Sequence, residues 1–200
     1  MIFILRRILV HSRLVRRFAS ELPAMSNQKA EVAEAAIYSP EKLQRLVSVL
    51  WNSREEPKTL SALLYVVLGA FAGLRPAEAV ALEWKHIDFS KQTISLVPPV
   101  AKIARVVPIK SNLMDLLAPF QGRNGLVVMH KKVANILRNE CIQAGVEHIP
   151  NGLRRSYAAN RLAEVSEDTV RSEMGLDSSA QNEWKAVSPD SAAKYWAVTP

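Results

Sequence analysis

The feature that most constrains the fold of this chain is a change in the spacing of its apolar residues, which is helical except in one short region. Apolar residues recur at helical spacing before residue 86 and again after residue 111. Between these parts, Thr93–Val97 and Ile103–Ile109 are rich in β-branched residues, and the adjacent prolines Pro98 and Pro99 separate them. The pattern predicts a mostly α domain with one small antiparallel β-hairpin or sheet near residues 86–110.

Helix boundaries follow from residues that favour helix ends. Ser39 before Pro40 predicts the start of the first helix. An apolar stripe from about Thr59 predicts a second, buried helix that ends at Gly73, and Pro76 predicts a new start. Further helical patterns cover residues 112–117, 132–144, 152–163, 167–174 and 189–197.

The positive charge of the chain is concentrated at its beginning. The formal net charge is +7, but residues 1–20 hold five arginines and no acidic residue. Residues 21–200 carry 21 basic against 19 acidic side chains and are nearly neutral. Any nucleic-acid binding by the body of the chain must therefore depend on where particular basic side chains stand.

Composition argues against several classes of protein. Cys141 is the only cysteine, so the chain has no internal disulfide and no thiolate cluster for zinc, and a reducing compartment is expected. The apolar stretch at residues 2–10 is interrupted by Arg6 and Arg7, and no run approaches the roughly 20 residues of a membrane span. Three histidines do not share the spacing of metal ligands: His86, His130 and His148.

We expect residues 1–37 to be a basic arm or linker and residues 38–200 to be the folded domain. Three interpretations of the first 20 residues stay open. They are a phosphate-binding arm, an organelle-targeting presequence, or sequence upstream of a true start at Met25.

Three basic residues occupy positions whose order and spacing are informative. Arg75 lies in a Gly-Leu-Arg-x-x-Glu turn with Glu78, Lys102 lies near the turn of the predicted hairpin, and Arg154 opens a helix within a Leu-Arg pair. From about residue 38 to 200 the chain resembles the catalytic domain of the tyrosine recombinases, the phage-integrase family. The resemblance includes further segments: Leu82 to Asp88, Arg105 to Ile109, and Val187 to Trp196.

This resemblance implies a site that acts on DNA. In the family two arginines clamp the scissile phosphate, a tyrosine attacks phosphorus, and a lysine, matched by Lys102, protonates the leaving hydroxyl. Arginine suits this task because its planar guanidinium donates two hydrogen bonds at once to a phosphate. Neither a metal nor a nucleotide cofactor is implied, and the expected partner is duplex DNA. The candidate DNA-binding residues are Arg75, Lys102, Arg105 and Arg154.

The sequence departs from the family pattern at three positions. Asn151 stands where a histidine is usual, and Leu176 stands where a second histidine or a tryptophan is usual. Glu183 occupies the position of the attacking tyrosine. A carboxylate there repels a phosphate or pairs with the arginines. We therefore expect this chain to bind DNA and to lack strand cleavage.

Two alternatives stay open. In the first, cleavage persists because Tyr195 or a partner protomer supplies the nucleophile, since the C-terminal segment in this family often packs on a neighbouring protomer and allows self-association. In the second, Glu183 neutralises the arginine pair, and the chain is a non-enzymatic interaction domain or a vestigial one. Tyr157 is interpreted as a core residue.

The resemblance also bears on what surrounds the domain. Family enzymes usually have an N-terminal helical domain that closes around DNA, and the residues before Tyr38 are too few to form one. The expected location is the bacterial cytoplasm in association with the nucleoid, or an organelle if residues 1–20 are a presequence.

Overall fold

Proline stands at the first position of four helices in this structure, a computed structural model that describes residues 37–177 and 184–200. The chain divides into two units, Met1–Ala35 and Ala36–Pro200, and every described residue belongs to the second. The helices are α1 (Pro40–Asn52), α2 (Pro57–Ala72), α3 (Pro76–Ala81), α4 (Ser111–Leu117), α5 (Val133–Gln143), α6 (Gly152–Arg161), α7 (Glu167–Met174) and α8 (Pro189–Trp196). The strands are β1 (Ile87–Asp88), β2 (Thr93–Leu96) and β3 (Arg105–Pro108).

The predicted helix ends are confirmed in their essentials. The Ser39 hydroxyl accepts a hydrogen bond from the Lys42 backbone N–H at the start of α1. Helix α2 begins at Pro57, slightly before the predicted Thr59, and Gly73 ends it in the left-handed conformation at φ 62°. These features depend on neighbouring residues alone, which is why the sequence predicts them well.

The predicted hairpin is part of a three-stranded antiparallel sheet. The strand order is β1-β2-β3, and the short strand β1 is an addition to the two predicted strands. Ile94 pairs with Val107, and both side chains are fully buried. Ser95 pairs with Val106 on the opposite, more exposed face. This alternation is the period of two that distinguishes a strand from a helix.

Helix α2 lies at the centre of the domain. Thirteen of its 16 residues are buried, as expected for a helix that is apolar on every side. It contacts α1, α3, α4, α5 and α6, so most of the core forms around it. Its C-terminal end leads directly into the turn that carries Arg75.

The described residues show neither a membrane-spanning helix nor a cluster of metal ligands. None of these helices combines the length and apolar character needed to cross a membrane. No cluster of three or more histidine, cysteine, aspartate and glutamate side chains within residues 37–177 and 184–200 is arranged to hold a metal ion.

Candidate functional site

The fold brings three arginines from separate elements to one buried carboxylate. Glu78 lies in α3 and is 3% exposed. Arg75 donates to Glu78 twice, from Nη1 to Oε1 over 2.9 Å and from its backbone N–H to Oε2 over 2.8 Å. Arg105, on β3, donates from Nη1 and Nη2 over 3.0 Å and 2.7 Å. Arg154, in the first turn of α6, completes the group and carries an electrostatic interaction with Glu78.

The contact between Arg75 and Glu78 belongs to a local motif at the start of α3. Arg75 is the residue before Pro76, the first residue of α3, and Glu78 is the third helical residue. A glutamate at that position can accept the backbone N–H of the cap residue, which is half of a capping box. The sequence therefore anticipates the pairing of Arg75 with Glu78, and the salt bridge confirms it.

Arg105 occupies a buried position in this group. Its side chain is 3% exposed, and its Nε donates to the Glu173 carbonyl oxygen over 2.7 Å. Its other two nitrogens are engaged by the Glu78 carboxylate. The sequence interpretation groups Arg105 with the residues that contact DNA, but a guanidinium in this environment has no open path to a phosphate. In this geometry Arg105 supports the carboxylate that Arg75 also contacts.

Three successive backbone carbonyls at residues 173–175 accept hydrogen bonds from the three arginines. Arg105 Nε donates to the first, Arg154 Nη2 to the second and Arg75 Nη2 to the third, each over 2.7 Å. Arg154 Nη1 also donates to the Gly73 carbonyl. The last carbonyls of a helix lack partners within it and form the negative end of its dipole, so cations are favoured there. Sequence reasoning does not anticipate this contact.

The site carries more positive than negative charge. Within the described part of the chain, three guanidinium groups surround the single carboxylate of Glu78, a surplus of two positive charges. Burial, reinforced by the charge of Arg75, lowers the pKa of Arg154 to about 10. The Arg75 side chain is 36% exposed, so the surplus is accessible from solvent. Such a site favours an anion.

A second buried carboxylate lies beside this site and is fully paired. Glu173 accepts from the Tyr157 hydroxyl over 2.6 Å and from Arg161 over 2.8 and 3.0 Å. Arg161 also contacts Glu164, which contacts Lys110. Tyr157 is 2% exposed, which confirms it as a core residue, and burial together with the Glu173 charge raises its pKa. Sequence reasoning missed this network, because only the Arg161–Glu164 spacing shows locally.

The remaining predicted site residues have different surroundings. Lys102 lies in the exposed loop between β2 and β3, and no described residue forms a hydrogen bond or ion pair with it. Asn151 is exposed at φ 56°, directly before α6. Leu176 is half-buried and packs against the small apolar cluster that includes Tyr157. Glu183 lies outside the described residues, so its two suggested roles stay predictions.

Tyr195, the alternative nucleophile, is a core residue. Its side chain is 0% exposed, its hydroxyl donates to the Ala70 carbonyl, and its ring lies 5.3 Å from that of Phe71. Burial raises its pKa well above the usual range for tyrosine. A hydroxyl that is buried, protonated and hydrogen-bonded cannot attack a phosphate, so Tyr195 is not placed as a nucleophile in the arrangement seen here. A nucleophile from a partner protomer stays a prediction. The helix that carries it, α8, contacts α1 and α6 of its own chain.

A shallow cleft lies beside Arg154. Its walls include Tyr65, Leu74, His148 and Asn151. His148 is half-buried there, as expected for a loop histidine, and burial, together with the charge of Arg138, lowers its pKa. A lowered pKa keeps this imidazole neutral at pH 7, so it adds no further positive charge beside Arg154.

The fold matches solved structures of recombinases and integrases. The crystal structure of XerA recombinase aligns with a TM-score of 0.57 at 15% identity, over 74% of this chain and 59% of that one. The integrase from mycobacterium phage Brujita aligns with a TM-score of 0.56 at 20% identity, over 78% and 62%. This chain has the tyrosine-recombinase catalytic-domain fold.

A third structure with this fold was solved with DNA. The XerH site-specific recombinase, bound to a palindromic difH substrate in a post-cleavage complex, aligns with a TM-score of 0.54 at 19% identity, over 72% of this chain and 47% of that one. The chain thus spans between 47% and 62% of the length of these recombinases. No protein-family model and no curated protein matches its sequence.

Proposed function

We propose that this domain binds duplex DNA by holding a backbone phosphate at Arg75 and Arg154, and that it does not cleave the strand. The observation that carries this proposal is the surplus of two positive charges around Glu78 among residues 37–177 and 184–200, a surplus that is open to solvent through Arg75. The shared fold supports it, since XerH with the same fold is bound to a DNA substrate. The planar guanidinium group matches the geometry and charge of a phosphate.

The two arginines are oriented before any anion arrives. Each already donates to a backbone carbonyl at the end of α7. The N–H groups that these contacts do not use are directed by the same planar geometry, so a phosphate meets fixed donors. A bound negative charge also offsets the repulsion between the two arginines, which raises the pKa of Arg154 back toward its ordinary value. Lys102, on its exposed loop, adds a further phosphate contact.

The second half of the proposal concerns cleavage. Cleavage by the family route needs a tyrosine nucleophile and groups that transfer protons. Glu183 stands in the nucleophile position, and Leu176 can neither donate nor accept a proton. Tyr195 is sequestered in the core. The domain is therefore expected to hold the phosphodiester without forming a covalent bond to it.

The test is a salt titration of binding to a generic duplex. The full chain is used with its five N-terminal arginines replaced by glutamine, so that residues 1–20 cannot supply the signal. The Arg75→Ala/Arg154→Ala variant is expected to bind about 100-fold more weakly, because two sets of charge-assisted hydrogen bonds are lost. The slope of log K against log salt is expected to be shallow, about −0.9 for each phosphate contacted.

The matched control removes the same charge elsewhere. Arg45 and Arg138 are exposed on α1 and α5, and Arg45→Ala/Arg138→Ala should change affinity less than about threefold. Equal losses in both double variants would show attraction to net charge rather than a site. No binding by any of them would leave the interaction-domain alternative. A covalent adduct on nicked duplex would overturn the absence of cleavage.

A further inference from the structure

The end of α7 contacts the site in an unusual way for a helix terminus. The carbonyls of residues 173–175 receive Arg105, Arg154 and Arg75 in succession, although these arginines come from β3, α6 and the turn before α3. One turn of backbone thus holds all three guanidinium groups. The distance between the two partly exposed arginines depends on the shape of that turn.

Gly175 allows the arginines to approach this closely. Its φ is +60°, and a Cβ placed on it would stand 2.8 Å from Arg105 Nη1 and 3.0 Å from Arg105 Cζ. Any larger residue would push the Arg105 guanidinium away from the turn and from Glu78. The position therefore requires glycine for two reasons, the left-handed backbone and the contact with Arg105.

Glu173 attaches the same turn to the helix that carries Arg154. Its carbonyl points to Arg105, while its carboxylate accepts from Tyr157 and Arg161, both on α6. The Glu173 side chain is 8% exposed. These bonds attach the turn to α6, so the turn cannot shift without disturbing the Glu173–Arg161 ion pair.

We propose that the C-terminal turn of α7, residues 173–175, sets the spacing of the arginines, and that Glu173 and Gly175 are positioning residues for phosphate binding. The inference rests on the proposed function. Arginine side chains are long and flexible, and donors that are already held in place lose less entropy when an anion binds. Phosphate affinity should then depend on residues that never touch the phosphate.

The first test asks whether Glu173→Gln strengthens or weakens DNA binding. Glu173→Gln removes a negative charge close to the arginines, so a purely electrostatic role predicts tighter DNA binding. A positioning role predicts the opposite, about tenfold weaker binding, because the turn loses its attachment to α6. Glu164→Gln removes the same charge from the same network without touching the turn, and it should not weaken binding. Tighter binding in Glu173→Gln, or equal weakening in both, would overturn the proposal.

The second test compares two glycines at helix ends. Gly145 also has a φ of +60°, but a Cβ there would meet only Arg45 Nη1 at 4.0 Å. Gly175→Ala and Gly145→Ala therefore introduce the same backbone strain, but Gly175→Ala also displaces Arg105 and should lower the thermal midpoint further. Only Gly175→Ala should weaken DNA binding, by about tenfold. Equal DNA affinity in the two variants would contradict the proposal, and if Gly175→Ala does not fold, Glu173→Gln decides.

A readout without DNA separates this inference from the proposed function. The Arg105 Nε–H group is bonded to the Glu173 carbonyl and should exchange slowly with water in a ¹H–¹⁵N spectrum. Exchange should become about tenfold faster in Gly175→Ala and Glu173→Gln and stay unchanged in the two controls. If Arg75→Ala/Arg154→Ala binds DNA like the wild type, the proposed function is wrong, and the exchange rates then decide only whether the turn holds Arg105 in place. If the double variant loses affinity, unchanged exchange, or faster exchange with unaltered DNA affinity, overturns the positioning role.

Discussion

Two buried carboxylates lie close together in this domain and serve different purposes. Glu78 and Glu173 are both buried, and both accept hydrogen bonds from arginine. Around Glu78 the positive charges exceed the negative by two among the described residues. Around Glu173 two positive charges, of Arg161 and Lys110, meet two negative ones, of Glu173 and Glu164.

The difference shows how one kind of contact can either bind helices together or receive a ligand. A balanced network satisfies every buried charge within the protein and connects α4, α6 and α7. An unbalanced one keeps like charges close together, which costs stability, and this cost falls when an anion enters. The surplus of charge, more than the presence of arginines, distinguishes the proposed binding site from its structural neighbour.

The largest expected effect tests the role of Glu78. Glu78→Gln leaves the arginine group without a counter-charge and should lower the free energy of unfolding by about 3–5 kcal/mol. Urea denaturation measures it. The Glu78→Gln/Arg105→Met variant, which also removes the most buried arginine, should recover a good part of the loss. A loss below about 1 kcal/mol would mean that Glu78 does not neutralise the site.

A smaller effect compares the same substitution in the two networks. Arg161→Met leaves Glu173 buried without its cation and should cost about 3 kcal/mol. Arg154→Met removes a charge that Arg75 repels and should cost no more than about 1 kcal/mol, mainly for two lost hydrogen bonds to carbonyls. Chemical denaturation of both variants gives the comparison. Similar costs would erase the distinction between a balanced and an unbalanced network.

The smallest effect is a dependence on pH. Burial alone would raise the pKa of Glu78, but the hydrogen bonds from Arg105 and from the Arg75 backbone outweigh it and hold the pKa below the ordinary value of 4.5. The stability that Glu78 contributes is therefore complete above pH 4.5 and is lost as the pH falls through the lowered pKa.

Unfolding followed between pH 3 and pH 6 should therefore show a steeper acid limb in the wild type than in Glu78→Gln/Arg105→Met. Parallel profiles would show that Glu78 titrates alike in the folded and unfolded chains. The site around Glu78 would then lack the electrostatic character that sets it apart from the Glu173 network.

The sequence predicts the local features of the site. The Arg75–Glu78 pair is three residues apart at a helix start, and Arg154 opens a helix in a recognisable Leu-Arg pair. The sequence does not predict the burial of Arg105, because its carboxylate partner, Glu78, lies 27 residues earlier and its carbonyl partner, Glu173, lies 68 residues later. A basic residue on a strand gives no local sign of whether it faces solvent or another element.

For Tyr195, too, the sequence does not reveal whether the side chain is buried. A tyrosine near the C-terminus can be a nucleophile or a core residue, and its neighbours in sequence do not distinguish the two. Its hydroxyl donates to the carbonyl of Ala70, which lies 125 residues earlier in the chain, and only the tertiary structure reveals this contact. Burial depends on packing between elements, which no short window of sequence contains.

The sequence by itself determined the elements of this protein: helices that begin at prolines, a helix end at Gly73, and a small sheet where the apolar period changes. It also determined that the basic surplus of the body is small, so that any site must depend on position. Only the tertiary structure decided which charges meet, because the carbonyls at the end of α7 and the carboxylate of Glu78 collect arginines from three separate elements. Helix caps and the spacing of apolar residues depend on residues that are near each other in sequence, whereas the balance of buried charge depends on the whole fold.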